Sequence, residues 1–321
     1  MTKDDIKNQA KTFDDEVDLL ELFKTLFQGK WTIVSITTFV STIGVIYSLT
    51  LPNIYESKAL LTPANSSSSI SQSLRNASGL AGLAGISLLP SPQIENQNYF
   101  QAIQKLNSLS FFEDNILPNI FLPNLMALES WDFSSNTLNY NENIFNKTND
   151  EWVRDYAYPF KQVPSAQESF EVFMNNHFSL NVDEKKGFVF LAIKHQSPFI
   201  AEKWADLIVH EVNAFYRQKD KSESERAVRY LNEQIVLTNL SEVKDVISNL
   251  LQEETKKLTL IEANKYYVFN YIDPPVVMEI KSEPRRSVIC IIFALFGAMI
   301  GSFYVLIRHY FFRVKKLGEW I

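Results

Sequence analysis

Residues 31–51, WTIVSITTFVSTIGVIYSLTL, and residues 287–307, SVICIIFALFGAMIGSFYVLI, set the terms for everything between and around them. Each run is 21 residues long and contains no Asp, Glu, Lys, Arg or His. A helix of that length rises about 32 Å, enough to cross a hydrocarbon core of about 30 Å. Trp31, Tyr47 and Tyr304 stand near the edges of the runs, where interfacial aromatics are favoured. A cleaved signal peptide is a poor alternative for the first run: the 30 residues before it carry seven acids and show no basic n-region. Helices buried in a soluble core are the other alternative, disfavoured for uncharged stretches this long. Both runs are expected to be membrane spans.

Two spans put both termini on one side. Residues 1–30 carry five lysines against seven acids, residues 308–321 carry four basic residues against one acid, and residues 52–286 carry 22 basic against 29 acidic residues. Lys24, Lys30, Arg308, Arg313, Lys315 and Lys316 flank the spans on their terminal sides and predict cytoplasmic termini; Arg285-Arg286 is the contrary signal. The expectation is therefore an α+β membrane protein. Its parts are a cytoplasmic segment 1–30, transmembrane helices 31–51 and 287–307, an extracytoplasmic domain 52–286 and a cytoplasmic tail 308–321. The overall net charge of −6 gives no basic surface for nucleic acid. Cys290, the single cysteine, excludes an intramolecular disulfide and any cysteine-based metal site.

Working outward from the first span, YESKALLTP (Tyr55–Pro63) alternates as a strand, with Tyr55, Ser57, Ala59 and Leu61 on one face. A serine tract and a small-residue run follow over 64–92, with Gly79, Gly82 and Gly85 at spacing three. That spacing is not the phosphate-cradling GxGxxG pattern, and a flexible loop leading into a closely packing turn is expected. Residues 96–175 read as helices and turns of unassigned order. FSLNVDEKKGFVFLAIKH then predicts a hairpin, Phe178–Val182 and Phe188–Ile193, around a DEKKG turn.

Ser197-Pro198 opens a helical region whose apolar face is marked by Ala201, Ala205, Ile208, Val212 and Phe215. From Phe199 to Tyr267 there is neither Pro nor Gly, and one helix of 69 residues would be about 104 Å long. The heptad-like series Val228, Leu231, Ile235 loses phase at Thr238-Asn239 and restarts as Leu240, Val243, Ile247, Leu250. Only 19 residues separate Tyr267 from Arg286, a reach of at most about 65 Å. An antiparallel helical hairpin over about 199–267, turning near Thr238–Ser241, is expected to protrude from a mixed α/β base (about 52–198 and 268–286). A single kinked helix starting far from the membrane is the alternative. Tyr271–Asp273 and Val276–Ile280 suit an edge strand interrupted by Pro274-Pro275 and partnered by the strand after Pro52.

Three blocks, in this order, resemble the bacterial polysaccharide co-polymerase family, specifically the Wzz-type chain-length determinants of O-antigen. The first is DDEVDLLELFKTLFQGKWTIV, in which Asp18, Leu19, Glu21, Leu22, Gly29, Lys30 and Trp31 carry the match. The second is YESKALLTP with SGLAGLAGISL. The third is YYVFNYIDPPVVMEIKSEPRR leading into the second span, where Asp273, Pro274, Pro284, Arg285 and Arg286 align, while the paired prolines and Met278-Glu279 depart from the usual pattern. The resemblance implies a non-enzymatic regulator without cofactors in a Gram-negative inner membrane. It implies a homo-oligomeric ring working with a Wzy-type polymerase on a growing polysaccharide of the lipopolysaccharide O-antigen or a related glycan. The residues it singles out for contacts between copies or with the polymerase are Pro274, Pro275, Pro284, Arg285 and Arg286. Gly297 and Gly301, small residues four apart in the second span, join them as a face on which helices approach closely.

Catalytic constellations are not evident. His177, His195, His210 and His309 show no metal-ligand spacing, and there is no GxSxG elbow. A nucleotide-binding kinase domain is not expected in the 14 residues after the second span. A two-span extracytoplasmic sensor or export adaptor is the competing reading, and a glycan-processing enzyme a third.

Overall fold

The computed structural model describes residues 19–64, 92–183, 185–264 and 266–318. In chain order these form α1 (Leu19–Gln28), α2 (Lys30–Thr50), β1 (Tyr55–Pro63), α3 (Pro92–Leu106), a run of short helical turns over 109–126, and the strands β2 (Leu128–Asp132), β3 (Thr137–Tyr140), β4 (Phe145–Asn146) and β5 (Glu151–Trp152). They continue as α4 (Ala166–Val172), β6 (Phe178–Asp183), β7 (Phe188–His195), α5 (Pro198–Leu237), α6 (Ser241–Ala263), β8 (Phe269–Asp273) and α7 (Arg286–Gly318). The described residues fall into two units, one drawn from 1–53 and 283–321, the other from 54–282. The run with Gly79, Gly82 and Gly85 lies outside the described residues.

In the first unit, α2 and α7 are both long and apolar enough to cross a membrane. Gly29 interrupts the helix between α1 and α2. At the other end, α7 runs past the apolar stretch to Gly318, because no proline or glycine interrupts it after Gly301. Side-chain hydroxyls inside the pair bond back to their own helix, Thr37 to the Ile33 carbonyl and Ser302 to the Ala298 carbonyl, both at 2.8 Å. Such back-bonding satisfies the hydroxyls within their own helix.

The second unit is built on an antiparallel sheet of order β6-β7-β1-β8. β1 runs from Tyr55 opposite His195 to Leu61 opposite Val189, and on its other edge Leu61 opposes Tyr271 of β8. The alternation read in β1 holds: Tyr55, Ser57, Ala59 and Leu61 are all buried. Ala59 and Leu61 join Val189, Leu191 and Ile193 of β7 beneath α5, whose Ala201, Ala205, Ile208 and Val212 complete the same core. Trp204, Val209 and Tyr216 widen that helical face beyond the residues the periodicity marked. Phe111, Phe112 and Ile116, from the short turns, close the core from the side. The β6–β7 hairpin turns through Gly187, whose φ of +70° lies in the left-handed region that glycine enters without cost.

α5 and α6 form the antiparallel hairpin, with the turn at Thr238, Asn239 and Leu240. Lys221 of α5 pairs with Glu262 of α6, while Arg217, one turn earlier, donates to the carbonyl of Asn264, just past the end of α6, at 2.6 Å. Partner numbers rise as α5 numbers fall, which fixes the antiparallel sense. Beyond Ser224 no residue of α5 is buried.

Two expectations are corrected. Val276–Ile280 forms no strand: β8 ends at Asp273, since Pro274 and Pro275 offer no N–H to a ladder. The segment instead runs beside β1 through a Ser57 hydroxyl bond to the Val276 carbonyl (2.8 Å), and Ser282 N–H reaches the Ile54 carbonyl at 2.9 Å. Within 96–175, the helices and turns are joined by four short strands, β2 to β5.

Candidate functional site: the helix seam and the clamp at the hairpin base

Four glycines define how α2 and α7 meet. A Cβ placed on Gly297 would stand 2.9 Å from the Thr37 Cα, and one on Gly301 would stand 3.0 Å from the Ile33 Cα. Gly29 faces Val305 and Gly44 faces the Phe293 ring in the same way. The pairings 29 with 305, 33 with 301 and 37 with 297 advance four residues at a time in opposite directions, so the helices are antiparallel with backbones in near contact. Gly297 and Gly301 therefore face α2 of their own chain. The other faces of both helices expose Val34, Phe39, Ile46, Ile292, Phe296 and Phe303, a surface an aqueous protein would bury.

The remaining residues singled out from the sequence divide between the two units. Pro274 is exposed and Pro275 buried, directly after β8. Pro284, Arg285 and Arg286 form the entry to α7, where Arg286 donates to the Asn53 side chain at 3.2 Å and Arg285 is exposed.

A polar clamp that the sequence did not reveal lies where the hairpin returns to the sheet. The Asn213 side chain, on the buried face of α5, accepts hydrogen bonds from the N–H groups of Tyr267 (3.1 Å), Val268 (2.7 Å) and Phe269 (3.0 Å). Its amide donates to the carbonyls of Val209 (2.9 Å) and Phe269 (3.1 Å). Two turns on, buried Asp220 accepts from Asn98 of α3 at 2.7 Å and from the Tyr267 hydroxyl at 2.5 Å. Burial and the Asp220 carboxylate hold the Tyr267 hydroxyl protonated far above its ordinary range. Three separate elements are thus tied at one point: α3, α5 and the segment entering β8. The helical pattern carried no signal of Asn213.

His177 and His195 pack together beside Trp204. His195, buried at the end of β7, accepts the Ser197 N–H on Nδ1 at 2.9 Å, so Nε2 carries the proton it donates to the Asn124 carbonyl at 3.1 Å. Burial pushes its pKa down to about 4, and neighbouring His177, itself lowered by burial, adds to the shift. Both rings pack against Trp204, at centroid distances of 5.0 Å for His195 and 5.7 Å for His177. Among the described residues, no three His, Cys, Asp or Glu side chains converge to hold a metal. The arrangement is suited to positioning helices and strands.

A family model described as "Chain length determinant protein" (Wzz) matches residues 15–114. No curated protein matches the chain. Solved structures that match the chain include the following two. One, described as a full-length bacterial polysaccharide co-polymerase, shares 12% identity with a TM-score of 0.42, covering 92% of this chain and 99% of that one. The other, a fragment of the polysaccharide co-polymerase WzzB from Salmonella Typhimurium, shares 14% identity with a TM-score of 0.31, covering 72% of this chain and all of that one.

Proposed function

We propose that this chain, which carries the chain-length-determinant match over residues 15–114, is a non-enzymatic regulator of surface-polysaccharide length. It acts in the inner membrane of a Gram-negative bacterium on the lipopolysaccharide O-antigen or a related glycan. That family match is the observation that carries the reading, because it takes in α1, α2 and β1, the entry to the membrane and the first strand of the folded domain. α2 and α7 cross the bilayer as an antiparallel pair, both termini lie in the cytoplasm, and residues 52–286 stand in the periplasm. The apolar outer faces of the pair support a lipid environment, since a bilayer is the solvent in which such faces need no further protein cover.

The working form is a ring of identical copies that engages a Wzy-type polymerase and the growing polysaccharide by repeated weak contacts, whose summed effect sets the release probability. No cofactor takes part. Gly297 and Gly301 act first within the chain, by locking the span pair that each copy brings to the ring. Pro274, Pro275, Pro284, Arg285 and Arg286 shape the link between strand and span and are the residues assigned to contacts with other copies or with the polymerase. Deleting the gene should convert a clustered glycan-length ladder into a broad, unregulated one, restored by the wild-type chain. An unchanged ladder on gel profiling refutes the role.

A further inference from the structure

The domain 54–282 carries an aromatic and aliphatic rim at the end from which the chain leaves for α2 and α7. Three observations fix where the rim is. Tyr55, first residue of β1, packs edge-on against Trp131 (5.5 Å between centroids), which in turn contacts Phe133 (5.8 Å) and Phe199 (6.4 Å). His195, the register partner of Tyr55, holds the Asn124 carbonyl, so the segment that follows hangs from this same end of the sheet. The Ser282 N–H bonds to the Ile54 carbonyl at 2.9 Å, which keeps Ile280, two residues earlier, at this same end.

The rim is exposed although it is apolar. Phe133 is 78% and Ile280 79% accessible, and Phe199 is exposed with them. Side chains of this kind are an unfavourable surface in water and a favourable one at the boundary between headgroups and acyl chains. Covalent continuity supplies the occupant. Four peptide links separate Leu51 from Tyr55, and four separate Ser282 from Arg286, each a reach of at most about 15 Å. Ser282 and Ile54 are themselves hydrogen-bonded.

We propose that Phe133, Phe199 and Ile280 seat in the headgroup region of the bilayer that α2 and α7 cross, so that the domain grips the membrane with its own side chains as well as through its two links. The inference rests on the reading of α2 and α7 as spans. The grip is apolar and aromatic in origin: Asp132 and Glu279 lie beside these residues in the sequence, so anionic lipid is not required.

The test uses the full chain with Cys290→Ser, reconstituted in phosphatidylcholine vesicles, and carrying one environment-sensitive fluorophore at a time on Phe133→Cys, Ile280→Cys, Val236→Cys or Ile292→Cys. Val236 lies near the hairpin turn and Ile292 within α7. A lipid with a shallow spin label should quench the fluorophores at 133 and 280 several-fold more than the one at 236, and a deep label should quench the one at 292. Quenching at 292 together with 133 and 280 behaving like 236 overturns the rim while the spans stand. Absence of quenching at 292 overturns both. Equal quenching in purely zwitterionic and anionic vesicles is expected; quenching confined to anionic vesicles overturns the apolar origin.

Discussion

Asn213 and Phe269, fifty-six positions apart, exchange hydrogen bonds as two strand residues do: the Asn213 amide donates to the Phe269 carbonyl at 3.1 Å, and its oxygen accepts the Phe269 N–H at 3.0 Å. One side chain on α5 thereby serves as an extra backbone partner for the start of β8. It is what couples the long hairpin to the sheet, since the same oxygen also collects the N–H groups of Tyr267 and Val268.

Replacing Asn213 by Ala should strand these backbone donors without a partner. A buried group left so costs about 1–3 kcal/mol, and with water recovering part of the loss the total should be about 3 kcal/mol. Hydrogen exchange at 267–269 should accelerate by orders of magnitude, with little change in the β6–β7 hairpin. Unaltered exchange there would mean that the clamp does not hold the hairpin to the sheet.

His195 predicts how the domain responds to acid. Its folded pKa, about 4, lies below the ordinary value of 6.5, so the unfolded chain takes up the proton first. Stability is therefore full above about pH 6.5 and declines as pH falls toward 4, by about 3 kcal/mol in total for this group. Denaturant midpoints of the detergent-solubilised chain, followed through Trp fluorescence, should drop across that window. His195→Gln should start lower and show a shallower slope.

Gly297→Leu and Gly301→Leu test the seam. Each new side chain meets the backbone of Thr37 or Ile33, which cannot rotate away as a side chain could. Overpacking of this kind costs about 1–3 kcal/mol. The interspan distance between spin labels at Leu49→Cys and Val288→Cys should widen, and melting in detergent should fall. If the pair keeps its spacing, the glycines are not what sets it.

Much of this was legible in local pattern. Strict alternation placed Tyr55, Ser57, Ala59 and Leu61 inward because one sheet face is covered and a strand has period two. The phase break at Thr238-Asn239 marked the hairpin turn, since two heptad-like series cannot share one straight helix across it. What escaped depends on distant partners. β2 to β5 are two to five residues long, and aromatic contacts among Phe121, Tyr140, Phe145 and Trp152 hold their surroundings in place of any periodicity. The pairing of Gly297 and Gly301 suggested a close helix contact, but not that the partner would be α2 of the same chain. Asn213 gave no signal in the helical pattern, because its partner Phe269 lies fifty-six residues away.

Arg154 and Glu168 give the last prediction, on the loop that carries Tyr158 and Phe160. The guanidinium bonds both carboxylate oxygens of Glu168 and the carbonyls of Lys161 and Gln162, with side chains only 16% and 18% exposed. Arginine forms such a two-pronged grip because its planar fork matches a carboxylate. The pairing holds the Glu168 carboxyl below the usual range, so the grip is complete above the ordinary pKa of 4.5 and weakens as pH falls through the lowered one. Glu168→Ala removes the carboxylate and leaves Arg154 free to swing out, releasing Lys161 and Gln162. Trypsin should then cut after Lys161 several-fold faster at pH 7 than in the wild-type chain, while cleavage within α5 stays unchanged. Equal rates at Lys161 would show that the loop keeps its shape without the ion pair.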